Sequence, residues 1–520
     1  MYKINSFVHK FNKPSVIVFI IFLLAVLLRL PFLFTELPPY QFCDETIYFN
    51  QLIRLIEHKD ASYDFYEFRA GGFNFLPMLP ISYLVDFLPY DNELTLIFFG
   101  RLFYNVLLSS ASVFFIYKLT FLLSNSKKVS YLSILFFLLS PYIFSVSRYW
   151  YPDHYIYFFS AGFFYYLFLI LKSKKINILD FKKISIIFAL LLSIKYTSIL
   201  LSICFLFILY KFFHLNVNSK KLFNIFKTSF IYFFVTLIIF NIGILFEPAE
   251  FIKGFYFNLE NYQRFQANNI FESSNYYFLV FFLSSLTFLS LPYTLLGLKK
   301  LLMNQAYFFL VISFTVIFFI LYLGLNRGLA LHRNVSILMP LIFPIVAIGF
   351  SESIVLSKKY KFKFLFTIYN YSFISYLIFC IFISFSNSVK PDSRVMANNW
   401  IKNNLNKNAT IGTNEFCSGV SPAAGYSITV SKDKTFAKNY DFYVINSYWK
   451  SAIDYKYFAT KPIYLLKDQS VMHFNYFNYK NYFKPSNKDK PKNLEKDYEL
   501  IKEFNGSGPK IFIYKRIKSK

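Results

Sequence analysis

Acidic side chains are scarce in this sequence. Only 28 aspartates and glutamates stand against 55 lysines and arginines in 520 residues, for a formal charge of +27. Cysteine is scarcer still. The four, Cys43, Cys204, Cys380 and Cys417, lack the paired spacing of a metal site, and two fall inside long apolar runs, which argues against a disulfide framework. The C-terminal part has no nucleotide-binding glycine fingerprint. There is no tandem repeat, and no low-complexity tract beyond a bias to aromatic residues, lysine and asparagine. No small-residue cleavage site follows the basic start and first apolar run. That run is therefore expected to stay in the chain as a first membrane span and not to be removed as a signal peptide.

What the sequence has in abundance is apolar surface. It is 56% hydrophobic and 23% aromatic, with a mean hydropathy of +0.42. Soluble chains average roughly 45–50% apolar residues. The excess lies in uncharged runs, each near the ~20 residues a helix needs to cross hydrocarbon. The fold class this predicts is a polytopic α-helical membrane protein. In a soluble chain the positive charge would suggest nucleic acid. Here the lysines cluster between apolar runs and in a polar tail, so they read as topology signals and as contacts to anionic membrane lipids, with no nucleic-acid partner.

Spans are expected near residues 14–34, 95–123, 129–147, 155–171, 185–197, 199–213, 228–246, 276–297, 305–325, 335–355 and 363–386, about 11 in all. Lys10 and Lys13, Lys127-Lys128, the groups around Lys172–Lys183 and Lys220–Lys227, Lys299-Lys300 and Lys358–Lys363 mark cytoplasmic ends by the positive-inside rule. The apolar stretch 185–213 has basic flanks on both sides, so the chain is expected to go out and return within it. About 14 residues each way would give only ~21 Å per leg, short of the ~30 Å core, with the turn at Lys195-Tyr196-Thr197 below the surface. One long tilted helix is the alternative, and it would leave the tail in the cytosol. The hairpin puts the N-terminus in the cytoplasm and the tail outside the cytoplasmic (inner) membrane.

Residues 1–387 then form the membrane domain, with long outer loops at 35–94 and 247–275, the first expected to form amphipathic helices along the interface. Residues 388–520 form a soluble extracytoplasmic α/β domain of roughly 130 residues, enough for a small domain. In it Arg394–Leu405 reads as a helix and Ala409–Gly412, Asp441–Asn446 and Pro462–Leu466 as short strands. Tyr498–Phe504 and Lys510–Tyr514 flank Asn505-Gly506-Ser507-Gly508-Pro509, which looks like a hairpin connection.

Outside the tail, few charges adjoin the outer ends of spans: Asp44, Glu45, Arg69, Arg101, Arg148, Asp153, His154, Lys195, Arg327, His332 and Arg333. Ionisable groups at such depth are costly and usually functional. On this topology most of them converge on one outward-facing cavity, joining carboxylates that can act as bases to cations that can hold a phosphate. That inventory suits glycosyl transfer from a lipid-linked phosphosugar. The acceptor hydroxyl needs a carboxylate to take its proton. The leaving phosphate departs as an anion once cations neutralise it.

The ordered set of short motifs resembles the C-type membrane glycosyltransferases, in the branch of protein O-mannosyltransferases, aminoarabinose transferases of lipid A and related bacterial enzymes. It begins with Arg29-Leu30-Pro31, Asp44-Glu45-Thr46-Ile47-Tyr48, Phe73–Pro80 and Gly100-Arg101-Leu102. It continues through Asp153, Lys195-Tyr196-Thr197, His332-Arg333 before a span with Pro340 and Pro344, and Gly508-Pro509-Lys510-Ile511 in the tail. The resemblance implies that Asp44 is the catalytic acidic residue of the first outer loop and Asp153 the second acidic residue shaping the site. It implies that Lys195 and Arg333 engage the donor phosphate. Glu45 joins the catalytic carboxylates, and Arg69 and Arg148 the phosphate-binding cations. One departure is visible: the His- or Lys-Pro-Pro element of the best-studied relatives is replaced by Gly71-Gly72-Phe73-Asn74.

These residues also have purely structural explanations. Asp44 could cap a helix, Asp153 could pair with Arg148, Lys195 could snorkel to the interface, and Arg333 could anchor a span end. The expected activity is transfer of a sugar from a polyprenyl-phosphate donor to a hydroxyl of an extracytoplasmic lipid, glycan or protein acceptor, by inverting displacement. A flippase of lipid-linked saccharide or a non-catalytic envelope assembly protein are the alternatives. No cofactor is required by this chemistry. If a divalent metal takes part, Asp44, Asp153 and His154 are its candidate ligands.

Overall fold

The first apolar run, Pro14–Arg29, is helix α1, and a 3-10 turn over Leu30–Phe34 closes it where Pro31 withholds an amide. The computed structural model describes residues 14–34, 48, 51–53, 71–85, 92–146, 150, 152–173, 175–215, 218–263, 282, 286–326, 332–359, 363–388, 391, 393–414, 427–431, 440–446, 497–504 and 511–517. The chain divides into two compact units, Met1–Leu33 with Ile47–Ile381, and Phe34–Thr46 with Phe382–Lys520.

In the first unit, Asn92–Gly100 runs through a π-helical stretch, Arg101–Leu108, into α2, Ser109–Ser124. Asn125, at φ 52, ends α2, and the Ser126 side chain caps α3, Lys127–Leu138. Then follow α4, Pro152–Lys172, α5, Ile178–Ile194, a 3-10 segment Tyr196–Cys204 continuing into α6, Phe205–His214, and α7, Ser219–Phe240. After the helix Pro248–Gln263 come α8, Leu291–Asn304, α9, Ala306–Asn326, α10, Met339–Lys359, and α11, Lys363–Ser388. Among the described residues six helices are long and apolar enough to cross a membrane: Thr95–Ser124, Pro152–Lys172, Tyr196–His214, Ser219–Phe240, Val335–Lys358 and Lys363–Phe382. Pro14–Arg29 and Ala306–Tyr322 are shorter apolar helices.

Burial divides these helices into inner and outer. Most residues of α4 and of the first half of α10 are enclosed, whereas most of α7 and α11 is not. The outer helices expose Phe223, Phe230, Ile239, Phe364 and Phe382. Such contiguous apolar surface fits hydrocarbon better than water. α4 packs on α2 and α5, α5 on α7, and α10 on α8 and α3. The α8–α10 crossing is close because of two glycines. A Cβ on Gly349 would lie 1.8 Å from the Tyr293 carbonyl oxygen, and one on Gly297 2.0 Å from that of Ile345.

The out-and-back reading of 185–213 agrees with the geometry. The Lys211 ammonium donates to the carbonyls of Ile170 and Leu171 at 2.5 and 3.0 Å, and to that of Ser173, at the C-terminal end of α4. Lys195 lies at the opposite end of α4, bonded to Asp153. The short legs are corrected, however. α5 begins at Ile178, so at ~1.5 Å per residue it covers ~25 Å. The return leg covers ~33 Å, because nine of its residues rise at the 3-10 value of ~2.0 Å.

A second correction concerns the first outer loop. Residues 71–78 do not lie along an interface. They form two 3-10 turns, Gly72–Asn74 and Leu76–Met78, in which Gly72, Phe73, Asn74, Phe75 and Met78 are all buried. Leu79–Val85, which follows, is a helix with exposed apolar residues, Tyr83 and Leu84. Glycine permits this seating: a Cβ on Gly71 would fall 1.9 Å from the Ser193 carbonyl oxygen, and one on Gly72 1.9 Å from that of Phe240.

The second unit holds helix α12, Ser393–Asn404, and a five-stranded sheet of order β2-β1-β3-β5-β4. The strands are β1 Thr410–Asn414, β2 Ser427–Ser431, β3 Phe442–Asn446, β4 Tyr498–Phe504 and β5 Ile511–Arg516. β1 pairs parallel with β2 and β3, while β5 runs antiparallel to β3 and β4. Period-two alternation sorts β5: Ile511 and Ile513 join Ala397 and Ile401 of α12 in one core, and Phe512 and Tyr514 pack with Tyr443 and Tyr498 in the other. Strand β2 was not anticipated from the sequence. The expected strand at Pro462–Leu466 and the connection Asn505–Pro509 lie outside the described residues.

Candidate functional site

Asp153 occupies the first turn of α4, directly after Pro152, which is suited to a first helical position because it has no amide hydrogen to leave unpaired. A carboxylate there also faces the positive end of the helix dipole. Lys195 is the residue on which α5 ends. Its backbone is extended (φ −150, ψ 117) while its amide still donates to the Leu191 carbonyl at 2.9 Å, and a cation suits the negative end of that helix. Because α4 and α5 run antiparallel side by side, the start of one meets the end of the other.

The two side chains are paired. Lys195 Nζ lies 2.5 Å from Asp153 Oδ1, and the same oxygen accepts a hydrogen bond from Ser336 Oγ at 2.7 Å. Asp153 is 2% exposed and Lys195 16%. Among the described residues Asp153 Oδ2 is buried without a hydrogen-bond partner. Sequence reasoning did not single out Ser336. It lies in the 3-10 segment His332–Leu338 that opens α10 and packs against α4. Three residues per 3-10 turn place the backbone of Arg333 one turn before Ser336, on the same edge of that segment. His154 follows Asp153 and is buried.

The structure therefore brings Asp153 and Lys195 together and sets the Arg333 backbone one turn from their shared hydroxyl partner. The alternative partner for Asp153, Arg148, lies outside the described residues, as do Asp44, Glu45, Arg69 and Arg327. Arg101 is fully buried in the π-helical stretch and donates to the Leu33 carbonyl at 3.2 Å. Among the described residues no three carboxylate, imidazole or thiol groups come together as a metal site would need.

The opposite end of the bundle has a different chemistry. There Lys172 Nζ donates to the Leu122 carbonyl at 3.0 Å, Lys211 caps α4, and Gln305 Nε2 donates to the Leu123 carbonyl at 2.6 Å. These groups close helix C-termini, whose last carbonyls lack intrahelical partners.

No protein-family model matches the sequence, and no curated protein matches it. The fold does have a solved counterpart. The crystal structure of ArnT from Cupriavidus metallidurans bound to undecaprenyl phosphate aligns with a TM-score of 0.52 at 10% identity, over 96% of this chain and 97% of that one. The archaeal oligosaccharyltransferase AglB from Archaeoglobus fulgidus, in complex with an inhibitory peptide and a dolichol-phosphate, aligns with a TM-score of 0.48 at 10% identity, over 88% of this chain and 72% of that one.

Proposed function

We propose, from the premise that this chain has the fold of the C-type membrane glycosyltransferases, that it transfers a sugar from a polyprenyl-phosphate donor to an extracytoplasmic hydroxyl. The observation that carries the reading is the buried Asp153–Lys195 pair with Ser336, built at the end of the bundle opposite the lysine-capped helix termini. A lone carboxylate or ammonium buried there would be severely penalised, and each of these two groups offsets that cost for the other. The likeness to a protein solved with undecaprenyl phosphate supports a lipid phosphate as the ligand of such a site.

In this reading the Lys195 ammonium, held by Asp153, meets the donor phosphate, with Arg333, Arg69 and Arg148 as further cations. Asp153 keeps the lysine in place before the ligand arrives, so little side-chain freedom is lost on binding. Asp44 takes the proton of the acceptor hydroxyl, with Glu45 beside it in sequence. The acceptor oxygen bonds to the anomeric carbon as the bond from that carbon to the phosphate oxygen breaks. The electron pair leaves with the polyprenyl phosphate, and configuration inverts. Lysine and arginine balance the phosphate charge in this scheme, and no step in it passes through a metal. The active site faces outside the cytoplasmic membrane, and the acceptor is a lipid, a glycan or a protein.

The test is release of free polyprenyl phosphate from a labelled polyprenyl-phosphate sugar by the purified protein. Asp44→Asn keeps the shape and removes the base, so it should abolish release while leaving undecaprenyl phosphate binding intact. Full turnover by that variant at normal folded yield would refute the assignment.

A further inference from the structure

Between the helix end that carries Lys195 and the helix start that carries Asp153 lies a polar side chain that no step above uses. Asn74 is fully buried in the turn Gly72–Asn74, in the segment that departs from the Pro-Pro element of the resembled family. Its Nδ2 donates to the Ile194 carbonyl at 3.0 Å, and its Oδ1 accepts from the Tyr155 hydroxyl. Ile194 is the last residue of α5, immediately before Lys195, and Tyr155 lies two residues after Asp153 in the first turn of α4. The chemistry fixes the amide's orientation. A carbonyl can only accept, so the NH₂ must face Ile194, which leaves the oxygen for the tyrosine hydroxyl.

The turn that holds Asn74 is itself anchored. Trp150 Nε1 donates to the Asn74 carbonyl at 2.9 Å, and the Tyr104 hydroxyl donates to the Phe73 carbonyl at 2.7 Å. The Gly72 amide donates to Asn241 Oδ1 at 3.1 Å, and Asn241 Nδ2 donates to Ser193 Oγ at 2.7 Å. The carboxamide is thus a rigid bridge between two helix termini. Without it the Ile194 carbonyl, which has no intrahelical partner, would be buried unpaired, and the last turn of α5 would be free to shift. Lys195, as the extended residue ending that helix, would shift with it.

We propose that Asn74 is the positioning residue of the Asp153–Lys195 pair, acting through the Ile194 carbonyl on one side and the Tyr155 hydroxyl on the other. The sugar-transfer reading supplies only what the pair is for. The juxtaposition itself is independent of it.

The test uses the full-length protein in detergent and two near-isosteric variants, so that it does not hinge on one variant folding. Asn74→Asp keeps the acceptor for Tyr155 and loses the donor for Ile194. Tyr155→Phe keeps the ring and loses the hydroxyl. The readout is the rate at which an amine-acylating reagent modifies Lys195, followed by mass spectrometry, with Asp153→Asn as the reference for a broken pair. Lys211, held by carbonyls at the other end of α4, is the internal control. Both variants should raise Lys195 modification about five- to tenfold, the scale expected for one lost buried hydrogen bond, and leave Lys211 unchanged. Modification of Lys195 at the wild-type rate in both variants, or an equal rise at Lys211, would overturn the proposal. Undecaprenyl phosphate binding on the same samples separates the two readings. Should Lys195→Met leave binding untouched while Asn74→Asp still frees Lys195, the transferase reading fails and the positioning role stands. Should binding depend on Lys195 while both variants keep it protected, the positioning role alone fails.

Discussion

The Lys195 ammonium and the Asp153 carboxylate lie 2.5 Å apart, and the carboxylate is almost wholly enclosed. Removing one partner strands a buried charge, and such losses typically cost about 3–5 kcal/mol, whereas removing both leaves a neutral site. Lys195→Met and Asp153→Asn should each lower the thermal unfolding temperature markedly in detergent. The double variant should be more stable than the sum of the two losses predicts. Strict additivity would show that the two groups do not interact in solution.

Ser336 contributes a second hydrogen bond to the same carboxylate oxygen. In Ser336→Ala that oxygen keeps Lys195, so the cost is one hydrogen bond to a charged group, about 1.5–3 kcal/mol. If the proposed function holds, undecaprenyl phosphate affinity should fall less than in Lys195→Met, because the lysine remains paired. Equal losses in the two variants would mean that Ser336 touches the ligand directly.

Much of this architecture was legible in the sequence because bilayer thickness and apolar run length are physically coupled. The basic flanks of 185–213 were enough to indicate a return within that stretch, and Lys211 and Lys195 at opposite ends of α4 agree with it. The lengths of the two legs were not legible, since nothing in Tyr196–Cys204 announces a 3-10 rise. Asp153 and Lys195 stood out as charges beside apolar runs, but their partnership spans 42 residues of chain and follows only from α4 and α5 lying antiparallel. Ser336 and Asn74 carry no charge to flag them. Their roles depend on burial, which composition does not report, and residues 71–78 looked interfacial because buried and lipid-facing apolar stretches read alike.

Gly71 offers a steric test of the same junction. A β-carbon there would fall 1.9 Å from the Ser193 carbonyl oxygen, which is backbone and cannot rotate away. Gly71→Ala must therefore push the 71–74 turn off the end of α5, an overpacking cost of about 1–3 kcal/mol. We expect lower stability together with faster acylation of Lys195. A variant as stable as the wild type with Lys195 still protected would show that the turn is not seated there in solution.

The hairpin also makes sidedness testable. Lys211 bonds the last carbonyls of α4, so Ser173 and Lys175 should lie at a cytosolic end. α7 then carries the chain to Asn241, whose amide bonds Ser193 near the other end, and the helix Pro248–Gln263 follows. With the native cysteines replaced, a membrane-impermeant thiol reagent added to intact cells should modify Lys253→Cys and, if the tail is extracytoplasmic, Lys407→Cys, but not Lys175→Cys. Inverted vesicles should reverse the pattern. If Lys407→Cys is modified only together with Lys175→Cys, the number of crossings between them is even. The tail would then be cytosolic and could not serve a site on the outer face.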